Sequence, residues 1–419
     1  MPHKRTICFV TGTRADFGLM QSTLRAIAAH PNLRLQIIAT GMHLDPAHGR
    51  TINQIRRDGF TIDATVPWKP ARNNLTTLAE QTGAATARLA AAYVKLNPDI
   101  ILVVGDRVEA FAAATAAHLS GRILAHIHGG DRAQGQVDDS LRHAITKLAH
   151  LHFPATKQSA ERIAKLGEEK WRIHQVGSPG IDGITQQTLP LDDCNALLGG
   201  MGNGTPLPVS SLASIREDDG QASTLAHATQ QPLRKNRYAL LLLHPTEADA
   251  AAEFDRAQLL LGITQSTGFD QILIVYPNND PGAAGILRAW KAIDNPQSAI
   301  GNPIALADLP RPAFLSLLRD AAVLVGNSSA GIIEAASFGT PVLDIGPRQA
   351  GRERGQNVTT IPFRQAAIRC ALKQIWNNGH PRRYPKTNPY GAGNTAHRIA
   401  KTLATIAITP RLQKKLIAY

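Results

Sequence analysis

The sequence predicts an α/β protein of two Rossmann-like, doubly wound domains, and three observations predict it. Short apolar runs rich in β-branched residues alternate with Ala- and Leu-rich stretches of helical length, the rhythm of a parallel sheet covered by helices. That rhythm occurs twice. The two halves are separated by residues 189–236, where Gly199, Gly200, Gly202, Gly204, Pro206 and Pro208 stand among serines and mixed charges. A chain of 419 residues suits two or three domains at roughly 150 residues each.

In the first half, strands are expected at 6–11, 33–40, 99–105, 122–127, 151–155 and 173–176. Helices are expected between them at 20–30, 75–96, 110–119, 140–148 and 157–166. In the second half the strands are 238–243, 271–276, 304–306, 323–325 and 341–345. Their helices are 248–265, 284–291, 312–320 and 331–337. The domain reading is 1–188 for the first domain, 189–236 for a linker and flexible insertion, and 237–390 for the second domain. Residues 391–419 are read as a C-terminal helix packing back on the first domain. Two such domains about a linker make a cleft, and ligands of these sheets sit beyond the carboxyl ends of the strands.

Composition removes several function classes. Hydrophobic residues at 43% and charged residues at 18% exclude bulk disorder. There is no run of 18 apolar residues, so no membrane-spanning helix is expected. The N-terminus is basic and then apolar only from Ile7 to Val10, which reads as a strand entering a polar loop rather than a signal peptide. Cys8, Cys194 and Cys370 lie far apart, without metal or disulfide spacing, so a cytoplasmic location is expected. The net charge is +13, and residues 340–419 hold 14 Lys and Arg against Asp344 and Glu353. Such an end suits an anionic partner, or is a solvated basic face.

Five loops follow strands and carry polar residues. The first, Thr11-Gly12-Thr13-Arg14-Ala15-Asp16-Phe17-Gly18, has the place of a phosphate loop but neither G-x-G-x-x-G nor G-K-[ST], which disfavours NAD. Arg14 and a helix N-terminus near Gly18 remain as diphosphate contacts, against a tight turn with an Arg–Asp pair. In the second, Gly105-Asp106-Arg107, a carboxylate emerges from a buried strand and needs a partner or a task; capping of the next helix is the alternative. The third is the densest: His126 and His128, expected on one face of a strand end because strand side chains alternate, and Asp131, then Asp138, Asp139, Arg142 and His143 within two helical turns. Asp138 with Arg142, and Asp139 with His143, have i,i+4 spacing. Carboxylates beside imidazoles supply acid and base for proton transfer at carbon; a metal set comes second and N-capping third. The fourth places His244 and Asn278 after successive strands, each beside a rigid Pro. The fifth is Gly326-Asn327-Ser328-Ser329 leading into a helix with Glu334 expected in its first turn, followed by Arg348, Arg352 and Arg354, an anion site with three arginines.

Together these segments resemble the UDP-N-acetylglucosamine 2-epimerase family, most closely its hydrolysing branch, which feeds sialic-acid-type sugars. The resemblance rests on residues 10–16, 41–44, 105–107, 126–152, 176–180, 326–334 and 346–355, and spans nearly all the chain outside 189–236. It implies the glycosyltransferase-B-like fold, with UDP held mainly by the C-terminal domain. It implies Asp106 as a catalytic carboxylate, with Asp138 and Asp139 adding acid/base function. It implies Arg14 and Gly18 near the UDP phosphates, Arg107 beside the nucleotide, and His43 and Arg142 among the substrate contacts. His244 and Asn278 would touch UDP, Ser328 and Ser329 phosphate, Glu334 the ribose, and Arg348 the far side of the nucleotide. No cofactor and no metal would be required. A homo-oligomer, dimer or tetramer, is expected, with no nucleic-acid or membrane partner.

Two positions depart from the family. Where members often carry Glu, this chain has His128 and Asp131, so an acid/base role there falls to His128, to Asp131, or to neither. The implied reaction is conversion of UDP-N-acetylglucosamine to UDP and N-acetylmannosamine by anti-elimination of UDP and hydration of a 2-acetamidoglucal. The same chemistry on a UDP-2,4-diacetamido-trideoxy-hexose, or a non-hydrolysing epimerisation, is the alternative. A glycosyltransferase would need an acceptor groove that nothing in the sequence marks. A nucleic-acid-binding protein would need an aromatic platform, which 5% aromatic residues do not suggest.

Overall fold

The computed structural model describes residues 4–46, 50–68, 75–132, 138–203, 232–277, 282–292, 303–306 and 309–418, with residues 75, 138 and 199–203 as backbone only. By their internal contacts these residues divide into two units. The first takes Met1–Asp182, Gly351–Glu353 and Tyr390–Tyr419; the second takes Gly183–Ala350 and Arg354–Pro389.

The first unit runs β1 (Arg5–Thr11), α1 (Arg14–Ala29), β2 (Leu33–Thr40), α2 (Ile52–Arg57), β3 (Ala64–Val66), α3 (Leu75–Leu96), β4 (Ile100–Val104) and α4 (Val108–Leu119). It continues through β5 (Ile123–Ile127), α5 (Asp138–Leu148), β6 (Leu151–Phe153) and α6 (Lys157–Lys165). Its sheet has the order β3-β2-β1-β4-β5-β6, and every pairing is parallel.

Strand alternation divides the core between the two faces. Ile7 and Phe9 of β1 join Phe17, Met20, Leu24 and Ile27 of α1. Cys8 and Val10 face the other way, onto Leu89 and Tyr93 of α3 and the alanines of α4. Ala112, Ala113, Ala114, Ala116 and Ala117 are all buried, and their small side chains let α4 lie close to both sheet and α3.

The second unit opens with α7 (Leu191–Asn203), then β7 (Tyr238–Leu242), α8 (Ala250–Gln265), β8 (Gln271–Val275), α9 (Ala283–Lys291), β9 (Ile304–Leu306) and α10 (Arg311–Asp320). It closes with β10 (Val323–Gly326), α11 (Ser329–Ile333), β11 (Val342–Ile345), β12 (Val358–Ile361) and α12 (Gln365–Trp376). The order is β12-β11-β10-β7-β8-β9, again parallel throughout. Ala239, Leu241 and Leu243 pack with Leu260, Ile286, Trp290, Ile368 and Leu372 from α8, α9 and α12. The chain then returns to the first unit with α13 (Thr395–Thr405), whose Ile399 and Leu403 join the α1 cluster, and α14 (Pro410–Gln413).

Several elements differ from the sequence expectation. Helix α1 starts six residues earlier than residue 20, because Thr13 caps it and Asp16 completes a capping box. The stretch 173–176 is no strand; it meets the sheet through one bridge, His152 to Ile173. β3 and β12 were not expected: three- and four-residue edge strands carry little periodicity. The segment taken as linker begins with α7, which buries Cys194, Leu197 and Leu198, while residues 204–231 lie outside the described residues.

Candidate active site

Strand order locates a site in each unit separately. The direction of winding reverses between β1 and β4 in the first sheet, and between β7 and β10 in the second. Loops leaving the carboxyl ends of such a strand pair diverge and open a crevice.

In the first unit, the loop after β1 is closed on itself. The Asp16 carboxylate accepts the N–H groups of Gly12, Thr13 and Phe17 and the Thr11 hydroxyl. Amides engaged in this way do not cradle a phosphate. Arg14, exposed at the first position of α1, is the basic group this loop presents. Gly18 is the fifth residue of α1, so the helix N-terminus expected near it lies four residues earlier. His43 is wholly buried, its Nε2 2.9 Å from Thr11 Oγ1 and its Nδ1 2.8 Å from Thr51 Oγ1. Burial lowers its pKa, against the pull of Asp16. It ties the loops after β1 and β2 together.

The loops after β4 and β5 hold the acidic cluster. Asp106 follows β4, and its carboxylate meets Arg142 Nη2 of α5 in an ion pair. Arg142 is buried at 3% exposure, lies 3.8 Å from Asp139, and has its pKa pushed down to about 9 by burial and then by Arg352. The i,i+4 pair of Asp139 and His143 forms, at 3.4 Å. Arg142 thus serves Asp106 and Asp139; the expected Asp138 partnership falls on a side chain outside the described atoms.

His126 and His128 do not share a strand face. β5 ends at Ile127, and His128 turns away at a φ of 62°. His126 reaches the Gly105 carbonyl at 2.8 Å, while His128 holds Asp131 through Nδ1 at 3.0 Å and Ser178 through Nε2 at 3.1 Å. Asp131 also accepts the Ser159 hydroxyl at 2.7 Å. Burial pushes the Asp131 carboxyl up, but the His128 bond, nearby Arg352 and Ser159 outweigh it, and the net shift is downward. A histidine with both ring nitrogens engaged must surrender a partner before moving a substrate proton. In this structure the His128 ring bridges Asp131 and Ser178.

Buried neutral imidazoles give the fold an acid limit. Burial pushes His126 and His244 down to about 3, and His150 and His152 to about 4. An unfolded chain protonates these groups near pH ~6.5. Between that pH and the folded values the unfolded state binds more protons, so stability falls as pH is lowered. Glu168, held at about 2, adds a loss in the same direction below its unfolded value. The thermal midpoint is expected to drop steadily from pH 6.5 to 4, and a flat profile by calorimetry would contradict this burial pattern.

In the second unit, Asn327 stitches the crevice. Its Oδ1 accepts the His244 N–H at 2.7 Å, and its Nδ2 donates to the His244 carbonyl at 2.8 Å, joining the ends of β7 and β10. Its own carbonyl accepts Arg348 Nη1 at 3.2 Å and Gln349 Nε2 at 2.9 Å. His244, Ser328 and Arg348 thereby stand together at the carboxyl ends of the two central strands. The Ser328 hydroxyl caps α11 by accepting the Ala330 N–H, and Ser329 is that helix's first residue.

Three expectations change here. Glu334 is the C-cap of a five-residue helix, not part of its first turn, and it pairs with Arg311 at 2.8 Å. Of the three arginines, Arg354 is committed to buried Asp344 at 3.1 Å, and Arg352 belongs to the first unit. Only Arg348 stands at this crevice. Asn278 lies outside the described residues.

Among the described residues, no three His, Cys, Asp or Glu side chains cluster as a metal site, and no helix is long and apolar enough to cross a membrane. Sequence reading missed two residues. Asn327 has its role only because β7 and β10 are neighbours, which no local pattern reveals. Glu109, three positions after Asp106, is not singled out by the sequence, and the expected helix 110–119 begins just after it, yet it is buried at 2% exposure.

A family model described as UDP-N-acetylglucosamine 2-epimerase matches residues 25–404, and the chain belongs to that family. A relative from Legionella pneumophila, described as UDP-N,N'-diacetylbacillosamine 2-epimerase (hydrolyzing), is 35% identical over 99% of this chain and 100% of its own length. A UDP-N-acetylglucosamine 2-epimerase from Neisseria meningitidis serogroup B is 31% identical over 94% of this chain and 92% of its own. Among solved structures, the Neisseria meningitidis UDP-GlcNAc 2-epimerase bound to UDP-GlcNAc superposes with a TM-score of 0.71 at 17% identity, covering 95% of this chain and 99% of that one. That likeness identifies the fold, two parallel-sheet α/β domains of the glycosyltransferase-B type.

Proposed function

We propose that the protein is a hydrolysing 2-epimerase of a UDP-linked 2-acetamido sugar, releasing UDP and the free C2 epimer. The observation that carries this reading is the Asp106–Arg142–Asp139 cluster at the carboxyl end of β4 in a chain of this family. Inverting C2 requires breaking a weakly acidic C–H bond, which calls for a positioned base. Asp106, fixed by Arg142, takes the C2 proton. The C–H electron pair forms the C1=C2 double bond as the C1–O bond breaks and UDP departs with that bond's electrons. Water then adds across the double bond, its hydroxyl at C1 and a proton at C2 on the opposite face.

Asp138, Asp139 and Asp131 supply the further acid and base steps, with His128 holding Asp131 in place. Arg14, Gly18 and Arg107 belong to the substrate contacts of the first unit, and wholly buried His43 acts behind them by holding the loop that presents Arg14. His244, Asn278, Ser328, Ser329, Glu334 and Arg348 contact UDP, and the Arg348 guanidinium stabilises charge on the leaving diphosphate. The enzyme works as a homo-oligomer, in the cytoplasm, without cofactor or metal.

For the sugar, the full-length similarity to the Legionella relative favours a 2,4-diacetamido-trideoxy hexose, and the Neisseria relative supports N-acetylglucosamine. Both UDP-sugars are to be offered separately to the purified chain and the products identified by mass spectrometry. UDP with a free 2-acetamido sugar is expected. A product still linked to UDP would make the enzyme a non-hydrolysing epimerase.

A further inference from the structure

The crevice between β1 and β4 contains a carboxylate that the reaction above does not use. Glu109 lies in the first turn of α4 at 2% exposure, and neither carboxylate oxygen has a hydrogen-bond donor among the described residues. Its ion-pair partner is Arg107, whose Nε stands 3.4 Å from Oε2 and itself lacks an acceptor. Two glycines make the space. A Cβ on Gly12, after β1, would sit 2.5 Å from Glu109 Cγ; one on Gly41, after β2, would sit 3.1 Å from Cγ and 3.3 Å from Oε1. The loops leaving three neighbouring strands are thus shaped around one side chain.

A buried carboxylate with a single, loosely placed counter-charge destabilises a fold. Stability does not account for it, whereas orientation of the partner does. The Arg107 side chain is 28% exposed, and its Nη2 rests 3.5 Å from Met42 Sδ. Glu109 on one side and Met42 on the other fix the guanidinium at the crevice while leaving part of it open. A guanidinium held in that way suits bidentate binding of a phosphate.

We propose that Glu109 is a positioning residue, which acts through Arg107 to align it on the diphosphate of the nucleotide sugar. The inference rests on the UDP-sugar reading above. It predicts opposite effects on stability and activity, which a packing role does not. Glu109→Gln keeps the side chain's shape and removes the buried charge. Its thermal midpoint is expected to equal or exceed the wild type's, while kcat/KM for the UDP-sugar falls at least tenfold, mainly through KM, and UDP affinity falls in parallel. Glu109→Asp, which retains the charge, is expected to recover part of the loss.

Arg107→Ala is expected to lose as much as Glu109→Gln, and the double variant no more than Arg107→Ala alone. Additive losses in that cycle would overturn the proposal, as would wild-type KM in Glu109→Gln. So would a Glu109→Gln chain that fails to fold, since a destabilising loss of the carboxylate is what a structural role predicts. A wild-type enzyme that processes no UDP-sugar would overturn the functional reading itself, which distinguishes that failure from failure of the Glu109 assignment.

Discussion

Replacing Asp106 with Asn is expected to slow turnover by about a hundredfold or more, the range for loss of a general acid or base, and to leave UDP affinity nearly unchanged. The amide matches the carboxylate in shape but cannot accept the C2 proton. Arg142 would lose its ion-pair partner, and an unpaired buried cation is costly. Asp139 at 3.8 Å still faces Arg142, so the site retains one carboxylate against it. Steady-state release of UDP, with calorimetric titration of UDP on the same protein, separates chemistry from binding. Turnover close to wild type would put the base elsewhere.

A large effect on folding is expected at Gly326, which lies in the crevice of the second unit. It pairs in register with Leu242 across β10 and β7 and has a φ of 143°. An added Cβ would stand 2.1 Å from the Leu242 carbonyl oxygen and 2.6 Å from its carbon. Both are backbone atoms of the adjacent central strand and cannot swing aside. Gly326→Ala must therefore separate the two strand ends and pull the Asn327 carboxamide from the His244 backbone. A loss of about 3 kcal/mol or more in urea unfolding is expected, the scale of strain at a special backbone position combined with overpacking. UDP binding is expected to go with it. An alanine variant of wild-type stability would contradict the register.

These two residues show what sequence could and could not reveal. Asp106 stands out as a candidate because a carboxylate follows the apolar run Ile100–Val104 after a single glycine. Strands β4, β7 and β8 were legible for the same reason: buried parallel strands are continuous apolar runs. Gly326 read only as part of a small-residue loop, because its necessity comes from Leu242, 84 positions away. The expectation that His126 and His128 share a strand face failed for a related reason. Strand alternation places side chains only while the strand lasts, and here the backbone leaves the β region one residue too soon. Arg352 and Arg354 look alike in sequence to Arg348, yet a buried Asp344 claims one and the first unit the other. Long-range partners of this kind have no local signature.

The central claim is proton removal at C2 with loss of UDP, followed by addition of water. Turnover in deuterium oxide tests it most directly, with the released sugar examined by NMR at C2. The account predicts free 2-epimer carrying deuterium at C2, formed one for one with UDP. Free epimer that retains protium at C2 would contradict it.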